Sequence, residues 1–300
     1  MAGRTSRTLL MILFLTLLST AAHSFTFLQP WGYVWLNGAH YKTNLESEKF
    51  DSDLTRIEAK LGVDLFPLWA GAKLQPYFAY YGVSSADRHS WNNNEVSGFG
   101  VQVMPLLGMN EMGWLQDLKI FYESLTINWT SQDEDTPWDK PEDNHETDTR
   151  FGMEIWHEWN QPGQYTVENR RMLWGELWTN LSHRTTNFGS VWEDDFDTYL
   201  FYFQPRVGVY LFKLFNSISL EPYFKMDAVA SGKDVTYYNN VAYGIGLRVR
   251  PFMAGYFFGL DLRVLRKLKL FIETLSVSYL RERGEIDHDL RFGVDFNIGR

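Results

Sequence analysis

The sequence predicts an all-β fold: a transmembrane antiparallel up-and-down β-barrel of about twelve strands. Three observations predict it. An apolar leader precedes a polar chain, twelve long stretches alternate in hydrophobicity, and aromatics reach 17% although the mean hydropathy is only −0.29. Such a chain has no long apolar helix in which to place its rings. A tilted strand crosses a bilayer in roughly 9–11 residues, whereas strands of globular proteins average about 5–6. In lipid every backbone N–H and C=O must be paired, so only helices and closed barrels can span.

The leader comes first in the chain. Arg4 and Arg7 precede the apolar run Leu9–Leu18, and Ala22-His23-Ser24 supplies a small-x-small cleavage site. This is the pattern of a secretory signal peptide. Residues 1–24 are therefore expected to be removed, leaving residues 25–300 as the barrel. The apolar run is short of the roughly 20 residues that a spanning helix needs. The net charge of −9 argues against a nucleic-acid binder that neutralises phosphates. Cysteine is absent, which excludes a disulfide scaffold, a thiolate nucleophile and a cysteine metal knuckle. No cofactor is expected.

Period-2 alternation places the strands near 31–41, 53–66, 73–83, 94–104, 117–129, 148–159, 171–182, 197–210, 218–228, 238–250, 268–281 and 288–299. In the second stretch Ile57, Ala59, Leu61 and Val63 share one face, and Arg56, Glu58, Lys60 and Asp64 the other. In the last, Leu290, Phe292, Val294 and Phe296 alternate with Arg291, Gly293, Asp295 and Asn297. Connections after odd strands are polar. The clearest is 130–147, with seven acidic residues. Those after even strands carry Pro or apolar residues. Outward loops are thus expected to be large and inward turns tighter, with 105–116 and 251–267 long for inner turns.

Three features disturb the pattern. Pro76, Pro205 and Pro222 fall inside strands, where each removes a ladder hydrogen bond. Leu118-Lys-Ile-Phe-Tyr-Glu-Ser-Leu125 resembles Leu268-Lys-Leu-Phe-Ile-Glu-Thr-Leu275, as Leu74-Gln-Pro-Tyr-Phe78 resembles Leu220-Glu-Pro-Tyr-Phe224, so a short internal repeat is present. In the longer copies the apolar phase changes at Glu123 and Glu273, which implies either a β-bulge or a mixed lumen surface. Aromatics near strand ends, among them Trp31, Tyr33, Trp35, Trp129, Trp156, Trp159, Trp174, Trp178, Tyr237 and Tyr238, are expected to form interfacial girdles.

There is no dinucleotide fingerprint, P-loop, zinc-protease motif or nucleophile elbow. His89-Ser90 and Ser182-His183 leave open an outer-membrane lipid or polysaccharide hydrolase, although adjacency in sequence does not assemble a triad. The acidic loop lacks the spacing of a calcium loop.

The segment Met172-Leu-Trp-Gly-Glu-Leu-Trp-Thr-Asn-Leu-Ser182, followed by Thr186-Asn-Phe188, resembles the W-x-E-x-W…NF segment of the barrel family that forms the C-terminal domain of bacteriophage adsorption protein A. It is also similar to the outer-membrane barrels of cellulose-secretion channels. Leu270-Phe-Ile-Glu-Thr274 and Ile120-Phe-Tyr-Glu-Ser124 look familial too. The resemblance implies an outer-membrane barrel of a Gram-negative bacterium, in contact with membrane lipid and lipopolysaccharide. It further implies a conduit for a hydrophilic saccharide, an exopolysaccharide segment being the expected cargo. In that family a periplasmic helical-repeat region precedes the barrel, so an exporter of this form would use a separate periplasmic partner. Transport needs no covalent chemistry, and the chain is expected not to be an enzyme. The expected saccharide-contacting wall comprises Glu154, Trp156 and Glu158 with Trp174, Glu176 and Trp178. Glu221, Lys225, Arg248 and Arg291 are expected elsewhere in the lumen. The alternative is a surface adhesion or phage-receptor barrel with a plugged lumen.

Overall fold

A computed structural model describes residues 29–43, 50–65, 72–86, 93–106, 110–130, 145–160, 173–186, 196–214, 218–233, 238–252, 256–257, 260–261, 263–280 and 287–299. The leader and the acidic segment 131–144 lie outside the described residues. Twelve long strands run as β1 (Gln29–Thr43), β2 (Phe50–Asp64), β3 (Lys73–Ser85), β4 (Asn94–Met104), β5 (Leu118–Trp129), β6 (His145–Trp159), β7 (Leu173–Thr186), β8 (Phe196–Val209), β9 (Ile218–Ser231), β10 (Asn240–Arg250), β11 (Lys269–Tyr279) and β12 (Asp287–Ile298). Each pairs antiparallel with the next, and β12 pairs with β1 from Val34–Ile298 to Thr43–Asp289. The sheet is therefore closed and has no free edge.

The two faces differ as a bilayer requires. Phe99, Ile245 and Phe151 are 74, 64 and 59% exposed, and all point outward. The same outward face carries Phe78, Tyr122, Met153, Leu181, Phe201, Phe224, Ile272 and Phe292. A belt of this breadth is favourable against hydrocarbon and not against water. Inward positions bury charge: Lys60, Glu123, Glu176, Glu221, Lys225, Arg248 and Glu273 are each at most 5% exposed. A closed sheet with an apolar outside and a charged inside places the barrel in the bacterial outer membrane.

Register settles what the sequence left open. Pairing runs unbroken past Glu123 from Leu118–Ile155 to Asn128–His145, and past Glu273 from Lys269–Asp295 to Val277–Asp287. There is no bulge. Leu125 and Ile127 instead turn inward and pack with Tyr77, Ala79 and Val96, while Leu275 and Val277 pack with Ala242. The lumen surface is mixed. Each proline sits where one ladder lapses. The β2–β3 pairs stop at Gly62–Tyr77 and resume as a bridge at Leu65–Leu74, leaving Pro76 without a partner on that side. Pro205 falls in a gap between Arg206–Lys225 and Phe203–Ala228, and Pro222 lies just beyond Tyr223–Gly208.

Two expectations fail. Trp31, Tyr33, Trp35 and Trp129 hold inward register positions, as do Trp156, Trp174 and Trp178 of the expected lumen wall, so all seven furnish the lumen and not a girdle. The reason is that a wide barrel needs large side chains to fill its interior. Loop length also fails to mark the inner end. The longest connection, 251–268, lies at the end that carries the starts of β1 and β11. It folds on itself, with Tyr256–Phe257 paired to Leu260–Asp261 and a 3₁₀ turn at Arg263–Lys267. Hydrogen bonds from Arg263 hold the Asp261 carboxyl below its ordinary range. Chemistry marks the ends better: the two most acidic connections, 130–144 and 187–195, both lie at the opposite end, here termed the outer end.

The short repeat proves to be part of a duplication of the whole barrel. Strands β1–β6 and β7–β12 carry matching residues at matching places. Trp31-Gly-x-x-Trp-x-Asn37 corresponds to Trp174-Gly-x-x-Trp-x-Asn180, and Arg150-Phe-Gly152 to Arg291-Phe-Gly293. The geometry repeats too. Asn93 accepts a hydrogen bond from Ser85 N at 3.1 Å, and Asn239 from Ser231 N at 3.0 Å. A Cβ on Gly100 would lie 2.6 Å from the Tyr77 ring, and one on Gly246 2.5 Å from the Tyr223 ring. In each half a glycine opens the space that the neighbouring tyrosine fills.

Closed pairing of this extent resists detergent. The mature protein is expected to migrate anomalously on unheated gels and to fractionate with outer membranes. Recovery wholly as soluble periplasmic protein would refute the membrane-barrel assignment.

Candidate functional site

The lumen holds the chemistry, and two carboxylates organise it in equivalent places. Glu123 on β5 accepts hydrogen bonds from the Tyr77 and Tyr81 hydroxyls, each at 2.8 Å. It lies 3.0 Å from Lys60 Nζ and 3.6 Å from Arg150. Glu273 on β11 accepts from Tyr223 at 2.5 Å and from Lys225 at 2.9 Å. Arg150 is further held by Asp148 at 2.5 Å. Its counterpart Arg291 is held by Asp289 at 2.5 Å and Asp227 at 3.2 Å. Buried charge is tolerated only when paired, and each hub pairs it across several strands.

The halves diverge at the inner end. Glu176 on β7 takes the place that Tyr33 has on β1. Four cations surround it: Arg248 at 2.8 Å, Lys269 at 3.1 Å, Arg206 at 3.4 Å and Arg250 at 3.7 Å. Glu221 holds Arg248 at 2.8 Å and Arg250 at 3.2 Å. Its counterpart Gln75 makes only neutral and single-charge contacts, donating to Asp64 at 2.5 Å and accepting from Gln102 at 2.6 Å. One wall of the inner end is thus a dense ion-pair cluster and the other is an amide chain.

Beyond this floor, toward the outer end, lies a cavity of about 500 Å³. Nine aromatic, nine basic and seven acidic side chains line it. Of the wall expected from sequence, Glu154, Trp156, Glu176 and Trp178 line the cavity, with Trp156 directly cross-strand from Trp178. Lys225, Arg248 and Arg291 line it as well. The other three stand elsewhere. Trp174 is fully buried, with the Arg248 guanidinium 3.9 Å from its ring centre and Tyr223 packed against it. Glu221 is fully buried beside Arg248 and Arg250. Glu158 is exposed and outside the cavity wall.

Sequence reasoning missed Trp35, Tyr41, Arg184 and Tyr202, which also line the cavity. Phasing β1 from Asn37 inward would have found Trp35 and Tyr41, and the parity of Glu176 on β7 and of Arg206 on β8 would have found Arg184 and Tyr202. Trp31 and Trp174 share a local role: a Cβ on Gly62 would lie 2.8 Å from the Trp31 ring, and one on Gly208 2.5 Å from the Trp174 ring. The W-x-x-x-W spacing is therefore part of how each half packs its inner end.

Ser182 is buried facing the lumen, while His183 points outward to Asp197 at 2.7 Å. Adjacent strand residues face opposite sides, so this pair assembles no nucleophile and base. His89 lies outside the described residues. Among the described residues no three His, Asp or Glu side chains gather as metal ligands.

No family model matches the chain, and no curated protein matches it. Among solved structures it is similar to the β domain of the Bordetella autotransporter BrkA, at 12% identity and a TM-score of 0.35, covering 90% of this chain and 98% of that one. The translocator domain of autotransporter NalP from Neisseria meningitidis gives 11%, 0.27, 98% and 97%. An outer-membrane channel from Pseudomonas putida F1 gives 13%, 0.35, 92% and 98%. Likeness this low transfers no function. What the geometry itself establishes is a twelve-stranded outer-membrane β-barrel around a polar, aromatic-lined cavity.

Proposed function

We propose that the protein is an outer-membrane channel for hydrophilic solutes of sugar size. The observation that carries this reading is the cavity. Its volume of about 500 Å³ falls in the range of small-molecule sites, roughly 300–1,000 Å³. Flat rings beside carboxylates and guanidiniums suit a sugar, whose apolar face stacks while its hydroxyls donate and accept. Trp156 and Trp178 with Glu154 and Glu176 supply that surface on β6 and β7. A moving polymer such as an exopolysaccharide segment would need the inner ion-pair cluster to part. The resemblance to the phage adsorption and cellulose-secretion barrels supports that larger cargo, together with a periplasmic partner. The buried cluster at the inner end favours the second reading, a receptor barrel with a plugged lumen.

Conductance of the purified barrel in planar bilayers decides among these. A small open conductance, blocked by oligosaccharide and less so in a Trp156→Ala, Trp178→Ala double variant, is the expected result. A closed barrel would favour the receptor. Block identical in both forms would remove these tryptophans from the path.

A further inference from the structure

Seven of the nine basic side chains lining the cavity are ion-paired: Lys60, Arg150, Arg206, Lys225, Arg248, Lys269 and Arg291 each have a carboxylate within 4 Å. Arg56 on β2 and Arg184 on β7 have none among the described residues. Buried acids thus neutralise most of the lumen's basic charge but leave these two guanidiniums facing the cavity.

Their placement is not scattered. Arg56 lies over the Tyr41 ring at 5.7 Å, and Arg184 over the Tyr202 ring at 5.8 Å. In the duplicated barrel Tyr41 of β1 matches Arg184 of β7, and Arg56 of β2 matches Tyr202 of β8. Each half therefore carries one arginine–tyrosine pair at the same place, with the partners exchanged between strands. The arginines stand five strands apart in a ring of twelve, on facing walls of one cavity.

Each also has a second guanidinium beside it. Arg184 is directly cross-strand from Arg150. Arg291, the counterpart of Arg150, lies over the same Tyr41 ring as Arg56, 5.1 Å from its centre. Arg184 Nε is buried without a hydrogen-bond partner. An unpaired buried donor is costly, so the Arg184 side chain gains by turning toward an acceptor that enters the cavity. A guanidinium held on an aromatic face also keeps its remaining N–H groups aimed past the ring.

We infer that Arg56 and Arg184 form an anion-binding site in the outer half of the lumen, selecting solutes that carry a carboxylate or phosphate group. The inference rests on the reading of the cavity as a solute site and names the solute's charge. Arginine suits the task because its fork meets both groups bidentately. The seven ion-paired cations are already engaged by carboxylates and act as wall. The aromatic lining then receives the uncharged part of the same solute.

The test is equilibrium binding to the refolded barrel, read by intrinsic tryptophan fluorescence, since Trp35, Trp156 and Trp178 line the cavity. The probes are glucuronate, glucose 6-phosphate and glucose. The expected result is saturable binding of one or both anionic sugars and weak binding of glucose. Arg56→Gln and Arg184→Gln should each weaken the anion by about tenfold, while Arg263→Gln, outside the lumen, leaves it unchanged. Arg56→Lys and Arg184→Lys keep the charge and should recover part of the affinity, which separates a lost site from a misfolded barrel. Binding of glucuronate and glucose 6-phosphate unchanged in the double glutamine variant overturns the inference, as does glucose binding as tightly as either. Anion binding without conductance would retain this site and reject the channel. Conductance with no preference for the anionic sugars would do the reverse.

Discussion

Arginine at Phe292 is expected to cripple assembly of the barrel, and asparagine at Asp295 to spare it. Phe292 on β12 is 49% exposed and faces outward between Ile272 of β11 and His40 of β1. An arginine there must sit in hydrocarbon, at roughly 2–4 kcal/mol near the bilayer midplane. Asp295 is three residues on, faces the lumen and is 7% exposed. Its amide analogue keeps the shape and loses only a charge. The duplication adds a second arm, because Phe151 of β6 occupies the equivalent outward position at 59% exposure. Phe151→Arg should carry a similar penalty. Refolding yield into vesicles, scored by the unheated gel shift and by the urea midpoint, measures all three. Normal assembly of both arginine variants with loss of assembly in Asp295→Asn would invert the facing of the sheet.

That facing was legible in the sequence for the strands whose lumen side is charged. Arg56, Glu58 and Lys60, or Arg291 and Asp295, announce an inward face because no such row can meet lipid. Period-2 alternation placed all twelve strands to within four residues of their ends. Strand β1 was harder. Its inward row begins Trp31, Tyr33, Trp35 and its outward row holds Gly32 and Gly38, so the inward side is the more aromatic. A rule that sends rings to the membrane interface then fails, because the same rings also serve to fill a wide interior. The duplication was visible only where copies stayed nearly identical. Elsewhere the loops differ in length, and lumen partners have diverged in charge, as at Gln75 and Glu221 or Tyr33 and Glu176. The short repeat still aligns Gln75 with Glu221, whereas register brings Tyr33 and Glu176 into correspondence.

The cavity was the least legible part. Which inward residues reach it depends on contacts across the barrel, and no local pattern reports those. Trp174 and Trp178 are four residues apart on one strand with the same facing. One is sealed under Arg248 while the other lines the cavity. Arg184 reads as a charge near the end of a strand, and its significance emerges only beside its exchanged counterpart.

Neutralising Glu176 should produce the largest change that a single lumen substitution can make. Its carboxylate is 2% exposed and serves Arg248, Lys269, Arg206 and Arg250 at once. Glu176→Gln preserves shape but leaves four cations facing Glu221 alone. Breaking a buried pair by removing one partner costs roughly 3–5 kcal/mol, because the remaining charge is uncompensated. Glu158 provides the control. It lies directly cross-strand from Glu176 yet is exposed, so Glu158→Gln should be close to neutral. Adding Lys269→Met to Glu176→Gln removes one stranded cation and should restore part of the loss. Denaturant midpoints of the refolded barrels give the stability order, and bilayer recordings report whether the loosened cluster passes more current. Equal midpoints for Glu176→Gln and Glu158→Gln would mean that the inner cluster does not hold the lumen together. A lower midpoint with raised conductance would identify the same cluster as the constriction through which a solute leaves the cavity.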